Sequence, residues 1–416
     1  MSTSATAGPP VAKTPFTGYQ KFVVGLLAFL QFAVILDFML MSPLGAIIMP
    51  ALHISTKQFG LVVSAYAFSA GAAGLLTAGF ADRFDRKRLL LFFYGGFIVG
   101  TVWCGRATSF ESLLAARVVT GLFGGVIGSV VLAIATDLFP PQMRGRVMGV
   151  IQTAFAASQV LGLPTALYLS SRWDWHVPFL VLAGIGVLAG AVVALRMKPV
   201  DTHLGRPQEH SPFVHLWHTL TDGHHALAFA AVALLTTGGF MLMPFSSAFL
   251  VDNLQIGLVH LPTIYLATGL CTIFFGPVIG RLADAVGKIR VFLFGSALSI
   301  VMVVVYTRLG PIPLWSVIVV NVVLFIGIFS RMIPFQAMVA GVPEPARRGA
   351  FNAISASIQQ LAGGVASVVA GHLVSIGADG RLAGFDVVGD VVVGCSVTAA
   401  ALGWAISRAL RQRVAH

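Results

Sequence analysis

Three ionisable side chains stand inside stretches that are otherwise apolar, and they define the chemistry open to this chain. Asp37, in LQFAVILDFMLMSP, is the only acidic residue deep inside its run, and Arg117 and Arg331 are the two basic residues so placed. An ion in hydrocarbon costs several kcal/mol unless it is paired, so such groups mark ion paths, proton relays or fixed pairs. A carboxyl at that depth resists ionisation, and it can load and release a proton as its surroundings switch. Asp37 is therefore a candidate proton carrier or substrate contact; the alternative is a carboxylate satisfied permanently by Arg117 or backbone groups. Arg331 could attract an anionic substrate group, pair with a carboxylate, or satisfy carbonyls freed near Pro334. With Asp37 ionised the three charges sum to +1, which leaves an acidic or zwitterionic substrate open. Softer candidates are Gln31, Gln152, Gln159, Asn321, Gln336, Asn352 and Gln359, which need a partner from another helix or from a ligand. Tyr66 and Phe68 could line a path or simply pack.

The elements that hold these groups follow from composition. Of 416 residues 57% are hydrophobic and only 10% are charged, with a mean hydropathy of +0.90. Soluble domains carry about 25% charged residues. This chain could not cover its surface in water; it is an integral membrane protein, which excludes most soluble enzymes, nucleic-acid binders and secreted scaffolds. Its apolar runs are continuous rather than alternating, so helices and not a barrel cross the bilayer. The net charge of +11 is a matter of topology and implies no nucleic-acid partner. Cys104, Cys271 and Cys395 are scattered and form neither a disulfide framework nor a metal spacing. Residues 1–20 do not read as a cleavable leader.

A crossing helix needs about twenty residues. Twelve runs qualify: 22–48, 59–80, 89–107, 111–137, 147–170, 177–197, 226–250, 261–282, 291–309, 313–340, 350–375 and 387–407. With both termini cytoplasmic, 19 of 26 basic residues fall inside and five outside (Lys57, Arg106, Arg172, Arg308, Arg381), the bias that sets orientation. The organisation is then a cytoplasmic tail 1–21, a six-helix bundle 22–197, a cytoplasmic linker 198–225, a second bundle 226–407 and a tail 408–416. The linker histidines (His203, His210, His215, His218, His224, His225) fit no tight metal site. Neither a metal nor any other cofactor is expected.

The two bundles repeat. GFADRFDRKR from Gly79 recurs as GRLADAVGKIR from Gly280, with Asp82 and Asp284 separated by 202 residues. Pro141–Gly145 matches 345–349 at an offset of 204, and RVVTGLFGG at Arg117 falls on NVVLFIGIF at Asn321 at the same offset. Parallel halves of this kind are one transporter plan.

On these residues the chain resembles the major facilitator superfamily. The glycine, acid and basic cluster between spans 2 and 3 is supplied by Gly79, Asp82, Arg83, Arg86 and Lys87, with Asp85 where glycine is usual. In span 4, L-x-x-x-R-x-x-x-G is matched by Leu113, Arg117 and Gly121. Span 5 carries Gly162-Leu163-Pro164, related to the antiporter pattern but short of it. Within that superfamily the chain looks like the twelve-span drug:proton antiporter and sugar-efflux branch.

The resemblance implies a secondary active transporter, all α-helical, working by alternating access as a monomer in the bilayer. Its partners would be protons and a small organic molecule such as a drug or sugar. Spans 1 and 4 would line the central cavity, so Asp37 and Arg117 could pair and Arg117 could tune the carboxyl. Gln159 and Pro164 become tentative substrate contacts with Gln31, Arg331 and Gln336. The loop from Gly79 to Lys87, with a weaker copy at Gly280, Asp284 and Lys288, would latch the halves on the cytoplasmic side; the plain alternative is a topology signal. Proton-coupled export is the first reading, proton-coupled uptake the second, and a non-transporting sensor the third. No phosphate-loop pattern and no intramembrane zinc pattern occurs, so no enzyme is expected. The sequence reads as bacterial, which would place it in the plasma (inner) membrane.

Overall fold

The computed structural model describes residues 15–77, 81–201, 204, 219–221, 223–344 and 348–415. Among them, twelve helices are long and apolar enough to cross a membrane. Spans 1–6 are Gly18–Leu40, Thr56–Thr77, Arg86–Cys104, Phe110–Leu138, Pro141–Arg172 and Val177–Arg196. Spans 7–12 are His225–Asn253, Leu258–Val286, Lys288–Thr307, Leu314–Val339, Arg348–Leu373 and Phe385–Gln412. The helix of span 12 itself continues to Ala415. The spans form two six-helix bundles, and their even number puts both chain ends on one face, called here the terminus face.

The helices start where capping chemistry satisfies their first N–H groups. Thr17 and Gln20 make a reciprocal capping box on span 1, Asp85 caps span 3 and Ser109 caps span 4. The end of span 1 differs from the single run 22–48 expected from hydropathy. The helix stops at Leu40, and a separate short helix occupies Gly45–Ala51. Pro43 lies between them; its ring and missing N–H oppose continuation of a helix, whereas hydropathy registers no break there. The short helix then lies close to span 7. A Cβ on Gly45 would stand 2.9 Å from the Phe59 ring and 3.0 Å from the Pro244 carbonyl oxygen.

Core packing differs between the two faces. On the far face one continuous cluster joins both bundles, from Leu40, Leu44, Ile48 and Phe59 to Met241, Phe245, Phe249 and Phe385. Toward the terminus face the core divides. One cluster belongs to the first bundle (Leu27, Leu90, Ile134, Val147), another to the second (Ala231, Phe292, Phe351, Ile406), with Leu75 of span 2 resting on the latter. Hydrogen bonds reinforce the far face. Thr56 Oγ1 donates to the Val374 carbonyl at 2.7 Å and Ser247 Oγ to the Ser42 carbonyl at 3.2 Å. Between spans 11 and 12 a two-residue antiparallel ladder pairs Ser375–Ile376 with Leu382–Ala383. Asn253 at the end of span 7 holds it by exchanging two bonds with the Leu382 backbone, 2.9 and 2.8 Å. The bundles share one core on the far face and have separate cores toward the terminus face, where spans 2 and 11 remain in contact through Gly71, Gly74 and Leu75.

Glycines set the seam between bundles. Spans 2 and 11 approach until a Cβ on Gly60 would lie 2.7 Å from the Ser367 carbonyl oxygen and 3.2 Å from the Gly371 Cα. Spans 5 and 8 meet similarly, with Gly269 against the Gln159 carbonyl at 3.0 Å. A Cβ on Gly371 would likewise lie 2.8 Å from the Thr56 carbonyl oxygen, so neither glycine has room for a side chain while these spans touch. Gly60→Val should therefore overpack the seam and lower the unfolding midpoint in detergent, at a cost of about 1–3 kcal/mol. A Gly60→Val protein as stable as wild type would show that the spans do not meet this closely.

Candidate functional site

Asp37 lies in the last turns of span 1 and Arg117 in the second turn of span 4, and the fold brings them together. Arg117 Nη1 donates to Asp37 Oδ2 at 2.9 Å and approaches the Asp37 carbonyl oxygen at 3.4 Å. Thr101 of span 3 donates to Asp37 Oδ1 at 3.3 Å, sharing a hydroxyl that also faces the Phe97 carbonyl at 2.9 Å. Tyr66 of span 2 covers the guanidinium, 4.6 Å from ring centroid to Cζ, a cation–π contact. Four spans therefore converge on one ion pair. Asp37 is 0% and Arg117 1% exposed.

The geometry follows from local sequence. Gly121 is one helical turn beyond Arg117, on the same face of span 4. A Cβ there would press on Ser69 and lie 2.5 Å from the Tyr66 carbonyl oxygen. Glycine allows spans 2 and 4 to touch, and the contact sets the Tyr66 ring over Arg117. Arg117 Nε is left without a partner, so the pair is tight but not saturated. Of these neighbours only Tyr66 was visible beforehand, as a path or packing residue. Thr101 carries no sequence signal, because a threonine bonded to its own helix looks the same as one bonded across helices.

Span 5 is irregular where the short motif predicts a special helix. Ser158–Gly162 form a π turn, one of the forms that recur at functional sites. Pro164 supplies a cause, since its ring crowds the Val160 carbonyl and it cannot donate. Ser158 Oγ lies 2.9 Å from the Ala154 carbonyl and 3.2 Å from the Phe32 carbonyl of span 1. Gln159 is buried beside the seam with span 8, and Pro164 is half-buried. On span 1, Gln31 faces Gly128 of span 4, and its Oε1 is buried without a partner. Phe38 links this region to span 7, its ring in tilted contact with Tyr66 at 5.1 Å and Phe240 at 5.7 Å.

The second bundle holds a different site. A cavity of ≈ 200 Å³ between spans 7, 10 and 11 is lined by Thr236, Gln336, Asn352, Ser355 and Gln359 among apolar groups. Asn352 and Ala340, near the terminus-face ends of spans 11 and 10, mark its mouth. Arg331 is buried on span 10 and donates from Nη1 to Ser396 Oγ of span 12 at 2.7 Å. Arg117 and Arg331 thus occupy separate bundles, one with a carboxylate and one with a hydroxyl.

At the terminus face, Gly79 and the Asp82 side chain lie outside the described residues. Arg86 joins Asp137, at the end of span 4, with Nε–Oδ2 at 3.2 Å. Lys87 Nζ donates to the Ala194 carbonyl of span 6 at 2.8 Å. Arg83, Asp284 and Lys288 are exposed and Gly280 is half-buried. Asp85 explains its departure from glycine: one oxygen caps span 3 through the Arg88 N–H at 2.8 Å, and the other accepts from the Val200 N–H at 2.7 Å. The Arg86 N–H returns a bond to the Val200 carbonyl at 3.0 Å. In this state the basic loop is tied to its own bundle.

Removing one member of a buried pair leaves the other as an uncompensated charge, which costs about 3–5 kcal/mol. Arg117→Ala should therefore strongly lower the unfolding midpoint in detergent, and Thr101→Val should cost only about 1 kcal/mol. The double change Asp37→Asn with Arg117→Gln should be milder than the sum of its single changes. Additive losses would mean that the pair is not coupled.

The profile of the Major Facilitator Superfamily matches residues 27–376. The chain is 26% identical over 347 residues to the "Uncharacterized MFS-type transporter YceJ" of Bacillus subtilis (strain 168), covering 82% of this chain and 87% of the relative. Over a shorter stretch of 135 residues it is 30% identical to "Multidrug resistance protein 3" of the same organism, covering 32% and 26% of the two chains. Among solved structures it superposes on a bacterial homologue of the human lysosomal transporter Spinster with a TM-score of 0.75 at 16% identity, covering 95% and 98% of the two chains. A mutant form of the nucleoside transporter NupG gives 0.69 at 14% identity, covering 93% and 99%. With twelve spans in two bundles and a profile match over most of its length, the chain belongs to the Major Facilitator Superfamily of membrane transporters.

Proposed function

We propose that this transporter exports a small organic molecule in exchange for protons, with the terminus face cytoplasmic and Asp37 as the proton-carrying group. The observation that carries the reading is the Asp37–Arg117 pair, buried among four spans directly beneath the far-face cluster. In the present state Asp37 Oδ2 accepts a charge-assisted hydrogen bond from Arg117 Nη1, a contact that favours the carboxylate form. Rocking of the bundles about the seams of spans 2 with 11 and 5 with 8 would part the far-face cluster and admit protons from outside. Protonation of Asp37 would loosen its hold on Arg117, which Tyr66 still covers. Return to the state described here would restore the pair and release the proton inward.

The excess of basic residues on the terminus face supports the orientation, and a bacterial relative supports a plasma-membrane location. Each chain holds both bundles and a cavity, so a monomer suffices. Gln31, Gln159 and Pro164 flank the path from span 1 to span 5, and Gln336 lines the cavity. The loops at Arg83–Lys87 and Gly280–Lys288 would latch the halves when the cytoplasmic side closes. A relative named for multidrug resistance favours drug-like cargo. Proton-coupled uptake is the second reading, kept by the span-5 motif, where Gly162 and Pro164 stand without the remaining antiporter glycines.

The test uses purified protein in liposomes with an internal pH-sensitive dye, an imposed proton gradient and a panel of drugs, sugars, amino acids and organic acids. Substrate-dependent proton flux opposite to the substrate is expected from wild type, and at least a tenfold loss from Asp37→Asn. Flux in the same direction would give uptake by symport. Substrate movement without proton flux, or a mutant matching wild type, would reduce Asp37 to a structural residue.

A further inference from the structure

The cavity of the second bundle is walled by amides. Gln336 of span 10 and Asn352 and Gln359 of span 11 line it, together with Thr236 of span 7 and Ser355 of span 11. Asn352, Ser355 and Gln359 follow the spacing of a single helix face, and the rise per residue carries that face about 10 Å along the bundle. The Thr236 hydroxyl is committed to the Val232 carbonyl of its own helix at 2.8 Å, and the Ser355 hydroxyl is enclosed. The amides differ from both. Gln336, Asn352 and Gln359 are exposed, and among the described residues none of their side chains hydrogen-bonds to the protein. An amide at membrane depth needs a partner, and what fills the cavity provides it.

Among the described residues no charged side chain lines this wall. Arg331 lies outside it, 3% exposed and held by Ser396. Arg348, one turn before Asn352, is exposed at the start of span 11 and stays off the lining. Phe335 and Val339 add an apolar side. The volume of ≈ 200 Å³ lies below the ~300–1,000 Å³ of pockets for drug-sized ligands, so the cavity suits a compact molecule.

We infer that this cavity takes an uncharged solute with adjacent hydroxyl groups, of the monosaccharide class, and that Gln336, Asn352 and Gln359 recognise it. The inference rests on the transporter reading above and narrows its cargo. A primary amide offers two N–H donors and a carbonyl acceptor. A hydroxyl both donates and accepts, so neighbouring hydroxyls can engage both ends of one amide. A charged solute would give up its hydration here without meeting an opposite charge, a loss that neutral amides do not repay. A site built on hydrogen bonds also rejects analogues that lack a hydroxyl, because its own polar groups are then left unpaired.

The test reads binding in detergent, without gradient or flux, so an absence of proton coupling leaves it unaffected. Unfolding midpoints of the full chain are measured at constant ionic strength with hexoses and pentoses, each beside its sugar acid, its amino sugar and a deoxy form. At least one neutral sugar should raise the midpoint saturably, with its acid, amine and deoxy forms at least tenfold weaker. Gln336→Ala, Asn352→Ala and Gln359→Ala should each weaken that response at least threefold. Gln359→Glu should shift preference toward the amino sugar by at least tenfold, a reversal that a general loss of folding does not produce. A panel without a neutral binder would overturn the inference, as would an acid or amine that binds more tightly than its neutral parent. So would a sugar response untouched by all three alanine changes. Proton-coupled flux of a charged solute in liposomes would then leave the transporter reading standing while this one fell.

Discussion

The cost of placing charge in hydrocarbon governs this molecule. Backbone polar groups meet it by forming helices, which is why twelve spans account for most of the chain. Side chains meet it in two ways. Asp37 and Arg117 meet it by pairing, and their pairing obliges spans 1 and 4 to keep register, span 3 to present Thr101 and span 2 to present Tyr66. Gly121 follows from the same demand, because a side chain there would lift span 4 from Tyr66. The first bundle is assembled around one ion pair, and the spacing of its helices is the spacing that pair requires.

The same pair connects conformation to chemistry. It lies next to the cluster that joins both bundles on the far face, where Leu113 and Ala116 of span 4 and Leu40 of span 1 belong to that cluster. Parting the far face therefore moves the very turns that carry Asp37 and Arg117. A buried pair of this sort is weak evidence for stability but a good switch: its two members stabilise each other only while enclosed together. At the opposite face the halves already have separate cores, so a change there disturbs the pair less. The asymmetry of packing leaves the pair against the one core that both bundles share.

Much of this was legible in the sequence because charge is so rare in it. Asp37, Arg117 and Arg331 stand out against apolar runs, and the number of spans follows from hydropathy and length. Gly121 was visible through its spacing from Arg117. What stayed hidden depends on helix rotation and on local geometry. Thr101, Ser355 and Ser396 are ordinary helix residues until a neighbouring span turns toward them. Hydropathy runs span 1 past its end because residues beyond Pro43 remain apolar; it reports solvent preference and not whether a helix continues. The sequence shows Asp85 as a departure from glycine, but its function as a cap that also holds the Val200 N–H depends on the fold bringing residues far apart in sequence together.

The repeat sharpens the division between the two halves. At an offset of 204, Arg117 corresponds to Asn321 and Arg331 to Ile127. Asn321 donates to the Val317 carbonyl of its own helix at 3.2 Å, so the position that forms an ion pair in the first bundle is satisfied locally in the second. Ile127 belongs to the apolar cluster of the first bundle, so that half has no counterpart to the isolated cation. A duplicated scaffold has therefore placed its buried charges at different levels in its two copies. In the first, a cation and an anion neutralise each other. In the second, a cation is held by a hydroxyl. Because the bundles meet along spans 2 with 11 and 5 with 8, a shift along that seam moves the two buried charges relative to one another.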